Sequence, residues 1–339
     1  MIYIVQSYSA PNSIGDGDLF DHLTKHFGGD VTAVPAISDK VRGFTAKEYL
    51  KTGVATYKRL KNHDVMFGWG GDLCLYAWLR GIFGVKKVKY LSQNLIFNPE
   101  DTSLKQRIRG LLYRIAFKSK NFFATVNSPE LKEFYAKTFH CSKDKFYTVL
   151  DAMDESDIES LSTSDTGTRG GYVFFGGKQN RDIPTFIEVV KLLPNVKFVA
   201  ILRKSSVMPE MTHLPNLQVL SDVSKDRFFS ILFNASVCCI PLNAMSPCGV
   251  SVMQQAILKD LPIVSTDTPS MRVLVPNANY GFLLPRGDAK GMAGKINLLL
   301  TDKGIEETVT RNAKENMKSM THEEVDKQII SALDYVMSK

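Results

Sequence analysis

Short runs of consecutive apolar residues recur along the first half of the chain, at Ile2 to Val5, Val65 to Phe67, Val88 to Leu91, Phe122 to Val126 and Phe146 to Leu150. Runs of this length with no polar alternation predict strands buried on both faces, and the longer stretches between them carry helical periodicity. Strand and helix in alternation predict a parallel sheet covered by helices. From Asp154 to Gly171 the character changes to Asp, Glu, Ser, Thr and Gly, which reads as a linker over residues 151 to 170. The pattern then restarts at Tyr172 to Phe175, Val196 to Leu202, Leu217 to Leu220, Ala235 to Pro241, Pro262 to Ser265 and Gly281 to Leu284, with helices expected near 183–193, 225–233 and 250–259. Glu323 to Met337 reads as a closing amphipathic helix. The fold class is therefore α/β, with one domain over 1–155 and a second over 170–320. Ligands of open α/β sheets bind at the carboxyl ends of the strands, so the loops that follow them are where chemistry is expected.

Composition narrows this picture. At 339 residues, 44% hydrophobic and 23% charged, the chain can bury two cores, which excludes extended disorder and a disulfide-stapled miniature. The net charge of +7 is uneven: residues 1–150 hold 22 Lys and Arg against 13 Asp and Glu, a balance of +9, and the remainder hold 20 against 22, a balance of −2. An acidic partner for the first half is implied. With no basic aromatic sheet and no helix-turn-helix pattern, nucleic acid is not expected to be that partner. Five cysteines, an odd number without C-x-x-C spacing, predict reduced thiols and a cytoplasmic setting. The first residues lack the basic and apolar regions of a signal peptide, and no run of about 18 apolar residues occurs. His22 and His26 alone have metal-ligand spacing, beside Lys25 on an expected surface helix, so no metal is expected.

The excess charge concentrates between Leu104 and Lys120. Leu104, Ile108, Leu111, Leu112 and Ile115 form one helical stripe, surrounded by Lys105, Arg107, Arg109, Arg114, Lys118 and Lys120 with no acidic residue. The stripe is expected to pack inward on the sheet, leaving the cations to meet an anionic membrane or a lipid diphosphate, each worth ~1 kcal/mol near such a surface.

Two loops of the second half suit a phosphate. Gly176-Gly177-Lys178-Gln179-Asn180-Arg181-Asp182 follows a strand and precedes a helix, so free helix amides, Lys178 and Arg181 could hold a diphosphate; the alternative is a glycine turn with solvated charges. Ser246 to Ala256 is a second helix start led by Gly249, with Gln255 able to bond a ribose hydroxyl pair; the alternative is an ordinary helix with polar residues near its start.

In this order, and about 70 residues apart, the two loops resemble the donor-binding half of GT-B glycosyltransferases of the family 4 type. The likeness covers roughly residues 172–320 and includes Ala256 with Pro262-Ile263-Val264 after it, and Gly281-Phe282-Leu283 with Asp288 beyond. The resemblance implies two Rossmann-like domains facing across a cleft, with a C-terminal helix at about 322–339 returning to the first. It implies a metal-independent hexosyltransferase-like enzyme of surface-polysaccharide synthesis, with no cofactor. Its partners would be a nucleotide diphosphate sugar, a lipid-linked glycan acceptor and the inner face of the plasma membrane. It places Lys178 and Arg181 on the diphosphate, Gly176, Gly177, Asn180, Gly249, Val250 and Ser251 around phosphate and sugar, and Val223 beside the base. The family's two glutamates fall on Pro247 and Gln255, a departure from the pattern that leaves two other readings open: a nucleotide-sugar epimerase, or a non-catalytic nucleotide-sugar-binding subunit.

The first half matches the family less closely. Asp16 and Asp18, in the loop after the first strand, are candidates for the base that deprotonates the acceptor, or else cap the next helix. Trp69 and Asp72, at the end of a strand, are expected at the acceptor, where Trp69 either stacks on a sugar or belongs to the core. Gln93 stands where family members often carry a histidine.

Overall fold

A computed structural model describes residues 1–6, 18–34, 45–69, 72–153 and 170–339. Asp16 and most of the expected linker lie outside the described residues, as do the side chains of Asp18 and Trp69. Contacts divide the chain into two compact units, residues 1–150 with 322–339, and residues 151–321.

The first unit holds β1 (Ile2–Gln6), α1 (Asp18–Phe27), β2 (Val31–Val34), α2 (Ala46–Arg59), β3 (Val65–Trp69), α3 (Leu73–Gly81), β4 (Lys89–Gln93), α4 (Leu104–Lys118), β5 (Phe122–Val126), α5 (Pro129–Phe139) and β6 (Phe146–Thr148). The strands form one parallel sheet in the order β2-β1-β3-β4-β5-β6. The short edge strand β2 is absent from the sequence expectation. Only its two terminal valines are buried, so it lacks the apolar run that marks the other strands. Local chemistry sets the helix starts. Thr45 accepts a hydrogen bond from the Glu48 amide while the Glu48 carboxylate accepts from the Thr45 amide at 2.6 Å, a reciprocal capping box at the head of α2. Thr45→Ala is expected to lower stability by about 1 kcal/mol in equilibrium urea unfolding, with Thr45→Ser near wild type.

The core of this unit is aromatic. Tyr113 and Phe117 from α4 meet Phe122, Phe139 and Phe146, with Phe117 to Phe146 at 4.7 Å between ring centroids and Phe117 to Phe139 at 5.2 Å. These rings reverse the expectation for α4. The face packed on the sheet is Tyr113, Ala116 and Phe117, while Leu104, Ile108, Leu111 and Ile115 are 72%, 51%, 56% and 48% exposed. Each aromatic side chain removes more surface from water than an aliphatic one, so the larger rings take the interior.

The second unit holds β7 (Tyr172–Gly176), α6 (Ile183–Leu192), β8 (Lys197–Leu202), β9 (Leu217–Ser221), α7 (Lys225–Phe233), β10 (Val237–Ile240), α8 (Val250–Leu258), β11 (Ile263–Thr266), α9 (Pro269–Leu274), β12 (Phe282–Leu284), α10 (Ala289–Thr301) and α11 (Lys303–Met317). Its sheet is also parallel, in the order β12-β11-β10-β7-β8-β9. Phe175 stacks on Phe186 at 4.0 Å at the centre of its core. The last helix, α12 (His322–Ser338), belongs to the first unit. His22 bonds Asp326 at 2.8 Å, the Leu150 amide donates to Gln328, and Lys89 donates to the Met337 carbonyl. His26 likewise bonds Asp334, so both members of the histidine pair are engaged with α12.

Candidate functional site

In the second unit the chain leaves the central strand β7 at Gly176 and turns through Gly177, whose φ of 121° is open to glycine alone. A Cβ at Gly177 would collide with the Arg181 guanidinium, which folds back under the loop. Arg181 Nε donates to the Gly176 carbonyl at 2.7 Å and Nη1 to the Gln179 carbonyl at 2.9 Å. The loop is tied to the segment after β10: the Asn243 amide donates to the Asn180 carbonyl at 3.1 Å, the Asp182 amide to the Pro241 carbonyl at 3.0 Å, and Asn180 Nδ2 to Ser246 Oγ at 3.2 Å. Asp182 then caps α6 through the Thr185 amide.

The same segment leads into α8. Its N-cap, Gly249, has φ 82° and no side chain to occupy the first amides of the helix. A Cβ placed at Gly249 would lie 3.5 Å from Arg181 Nη1, so one guanidinium stands beside both glycines. Among the described residues no carboxylate pairs with it. Burial pushes the Arg181 guanidinium below its ordinary pKa, and the thiols of Cys248 and Cys238 oppose that shift. A half-buried cation beside uncapped helix amides is an arrangement that an anion completes.

Lys178 and Ser251 are exposed, and Gln255 and Val223 are half-buried, Val223 between the end of β9 and the Ser224 cap of α7. The Gln255 side chain has no hydrogen-bond partner among the described residues, whereas its neighbour Gln254 is buried and donates to the Asp151 carbonyl at 2.9 Å. Val250 is buried at the helix start. Cys248 is buried too, and burial pushes its thiol up, with Arg181 opposing, so it packs as a neutral side chain.

In the first unit the structure corrects two assignments. Asp72 does not present its carboxylate to an acceptor: Arg109 Nε reaches its two oxygens at 2.8 and 3.0 Å, and the Tyr113 hydroxyl donates at 2.6 Å. Arg109 accordingly leaves the cationic flank of α4 and turns inward, its guanidinium 5.2 Å from the Tyr113 ring centroid and its Nη2 on the Ile96 carbonyl. Burial opposes the Arg109 charge, but Tyr113 and Asp72 more than offset this and hold its pKa above the ordinary value. Burial and the Asp72 charge push the Tyr113 hydroxyl up. Lys105, Arg107 and Lys118 remain exposed and Arg114 half-exposed. Gln93, at the carboxyl end of β4, is buried and accepts from Thr125 Oγ1 at 2.7 Å, which in turn accepts from the Asn94 amide at 2.7 Å. Asn94 itself lies in the left-handed region at φ 50°.

Solved structures share this architecture. Sucrose-phosphate synthase from Thermosynechococcus elongatus superposes with a TM-score of 0.73 at 11% identity, covering 100% of this chain and 99% of that one. Anabaena HepE in complex with UDP-glucose gives 0.71 at 14% identity over 98% and 99%. The chain has the GT-B fold. Staphylococcus aureus TarM, solved with UDP, alpha-GlcNAc-glycerol and fondaparinux, is a further GT-B neighbour at TM-score 0.63 and 13% identity, over 85% of this chain and 58% of that one. In sequence the chain is 28% identical over 109 residues to the S. aureus capsular polysaccharide biosynthesis glycosyltransferase CapM, a stretch of 32% of this chain and 28% of that relative. A scan against protein-family models finds no match.

Arg286, which the sequence reading does not single out, donates through Nη1 to the Asn243 carbonyl at 3.0 Å and so places a third cation near the two glycine-led loops. Its signal was the Pro285-Arg286-Gly287 turn after β12. Among the described residues no group of His, Cys, Asp and Glu is arranged to hold a metal ion, and no helix is long and apolar enough to cross a membrane.

Proposed function

We propose that the protein transfers a sugar from a nucleotide diphosphate sugar to a lipid-linked glycan or polysaccharide acceptor at the cytosolic face of the membrane. The observation that carries this reading is Arg181: a half-buried guanidinium, unpaired with any carboxylate among the described residues, set between Gly177 and Gly249 beside the uncapped start of α8. Bond cleavage at the sugar places charge on the leaving diphosphate. Arg181, Lys178 and the amides of Val250 and Ser251 would meet that charge with groups already in place, so the step needs no metal ion. Gln255 would bond the ribose and Val223 border the base. UDP is the first nucleotide to try, since HepE and TarM were both solved with it. Asp16 or Asp18 would take the acceptor proton, with Trp69 and Gln93 positioning the acceptor.

A thermal-shift panel of nucleotide sugars tests the donor site. A matching donor at about 100 times its Kd is expected to stabilise the protein by about 2.7 kcal/mol, seen as a rise of several degrees. Lys178→Ala should shrink that rise, and EDTA should leave turnover unchanged. Absence of a shift with every donor would show the assignment to be wrong. Pro247 and Gln255, at positions where the resembled family has carboxylates, favour a second reading, a nucleotide-sugar-binding subunit without turnover. Donor binding with no product, and function indifferent to Asp16→Asn and Asp18→Asn, would select it.

A further inference from the structure

Helix α4 has two apolar faces. At about 100° per residue, Leu104, Ile108, Leu111 and Ile115 fall within about 60° of one another, on the side opposite Tyr113. The inner face is satisfied by the aromatic core, while all four aliphatic side chains of the outer face are exposed. Isolated exposed leucines need no explanation, but four in register over three turns make a continuous strip. Arg107, Arg114 and Lys118 run along one border of that strip and Lys105 stands on the other, and α4 contains no acidic residue. Arg107 and Arg114 also line a cavity of about 390 Å³ together with Phe97, Leu111, His140 and one carboxylate, Asp101, so two cations face one anion there. The inward turn of Arg109 sharpens the arrangement, because it removes the one cation that the core neutralises and leaves those that nothing on α4 neutralises.

We propose that the outer face of α4 docks on an anionic phospholipid bilayer, its aliphatic strip entering the interface and Arg107 and Arg114 taking a headgroup phosphate at the mouth of the cavity. Charge complementarity selects this occupant. A soluble apolar partner would cover the strip without needing the cations, and a second copy would bring like charges together along the same border. Lys105, Arg107, Arg114 and Lys118 also supply part of the basic excess of the first 150 residues, which the proposed donor site of the second unit does not use. The inference rests on the membrane-borne acceptor of the preceding reading, but it is measured with neither donor nor acceptor present.

The full-length protein is spun with vesicles of equal phosphatidylglycerol and phosphatidylcholine, and with vesicles of phosphatidylcholine alone. Binding is expected to the first and at least tenfold less to the second, and to weaken in 0.5 M NaCl. Ile108→Asp with Leu111→Asp, and separately Arg107→Glu with Arg114→Glu, should each reduce binding at least tenfold. All four positions are exposed or half-exposed, so the fold survives, which circular dichroism verifies. The UDP-sugar thermal shift reads the second unit and should be unchanged in both double variants, so a failure of lipid binding and a failure of donor binding are separable. Equal binding to both vesicle types, wild-type binding by the double variants, or a change from dimer to monomer in light scattering without loss of vesicle binding would each overturn the proposal.

Discussion

Arg181→Ala is expected to cut turnover about 10²- to 10³-fold, the range seen when one preorganised donor is removed from a site of developing negative charge. The size follows from position. The guanidinium is half-buried and held by the carbonyls of Gly176 and Gln179, so it costs little reorganisation when charge appears on the diphosphate. Arg181→Lys should recover only part of the rate, because a lysine ammonium cannot reproduce the planar fork that bonds two carbonyls at once. Gly177→Ala provides an independent route to the same loss. Its Cβ would enter the space of the Arg181 side chain, and its φ of 121° is unfavourable for any residue with a side chain. Single-turnover kinetics with a donor that shifts the melting temperature checks both variants. A rate within threefold of wild type for Arg181→Ala would remove this residue from the chemistry.

Arg109→Ala is expected to destabilise the first unit by about 3 to 5 kcal/mol, because it leaves the Asp72 carboxylate largely buried with only Tyr113 as a partner. In a unit of this size that corresponds to a fall in melting temperature of roughly 10 °C. Asp72→Ala should cost a similar amount by stranding Arg109. The double variant with Asp72→Leu and Arg109→Met should recover much of the loss, since apolar groups of similar volume need no counter-charge. Urea unfolding of the two single variants and the double variant measures the coupling. A change under about 1 kcal/mol in both single variants would show the pair to behave as a surface ion pair.

The difference between Arg181 and Arg109 was not legible in the chain. Both are arginines near a glycine, on segments that follow parallel strands. The sequence places Arg181 in a glycine-led loop between a strand and a helix because Gly176-Gly177 precedes it and a capped helix follows, a local pattern that the structure reproduces. The sequence groups Arg109 with the surface cations because its partner, Asp72, lies 37 residues away. Helical periodicity puts Arg109 on a face but carries no information about which acid meets that face.

The face of α4 illustrates the same limit. Its aliphatic stripe is the stronger periodic signal, yet Tyr113, Ala116 and Phe117 carry a second one at helical spacing. Which of the two turns inward depends on Phe122, Phe139 and Phe146, which come from other elements and present the rings that Tyr113 and Phe117 meet. Strand positions other than the short edge strand β2, the alternation of strand and helix, the closing helix and the two glycine-led loops follow from the chain alone. Each depends on residues within about ten positions of one another, over which backbone geometry dictates spacing. The inward or outward sense of a helix with two apolar faces, the pairing of Asp72 with Arg109, and the placement of Arg181 between Gly177 and Gly249 were decided by tertiary structure. They are contests between distant groups for the same buried space, and burial energy is settled only when the competing surfaces are in contact.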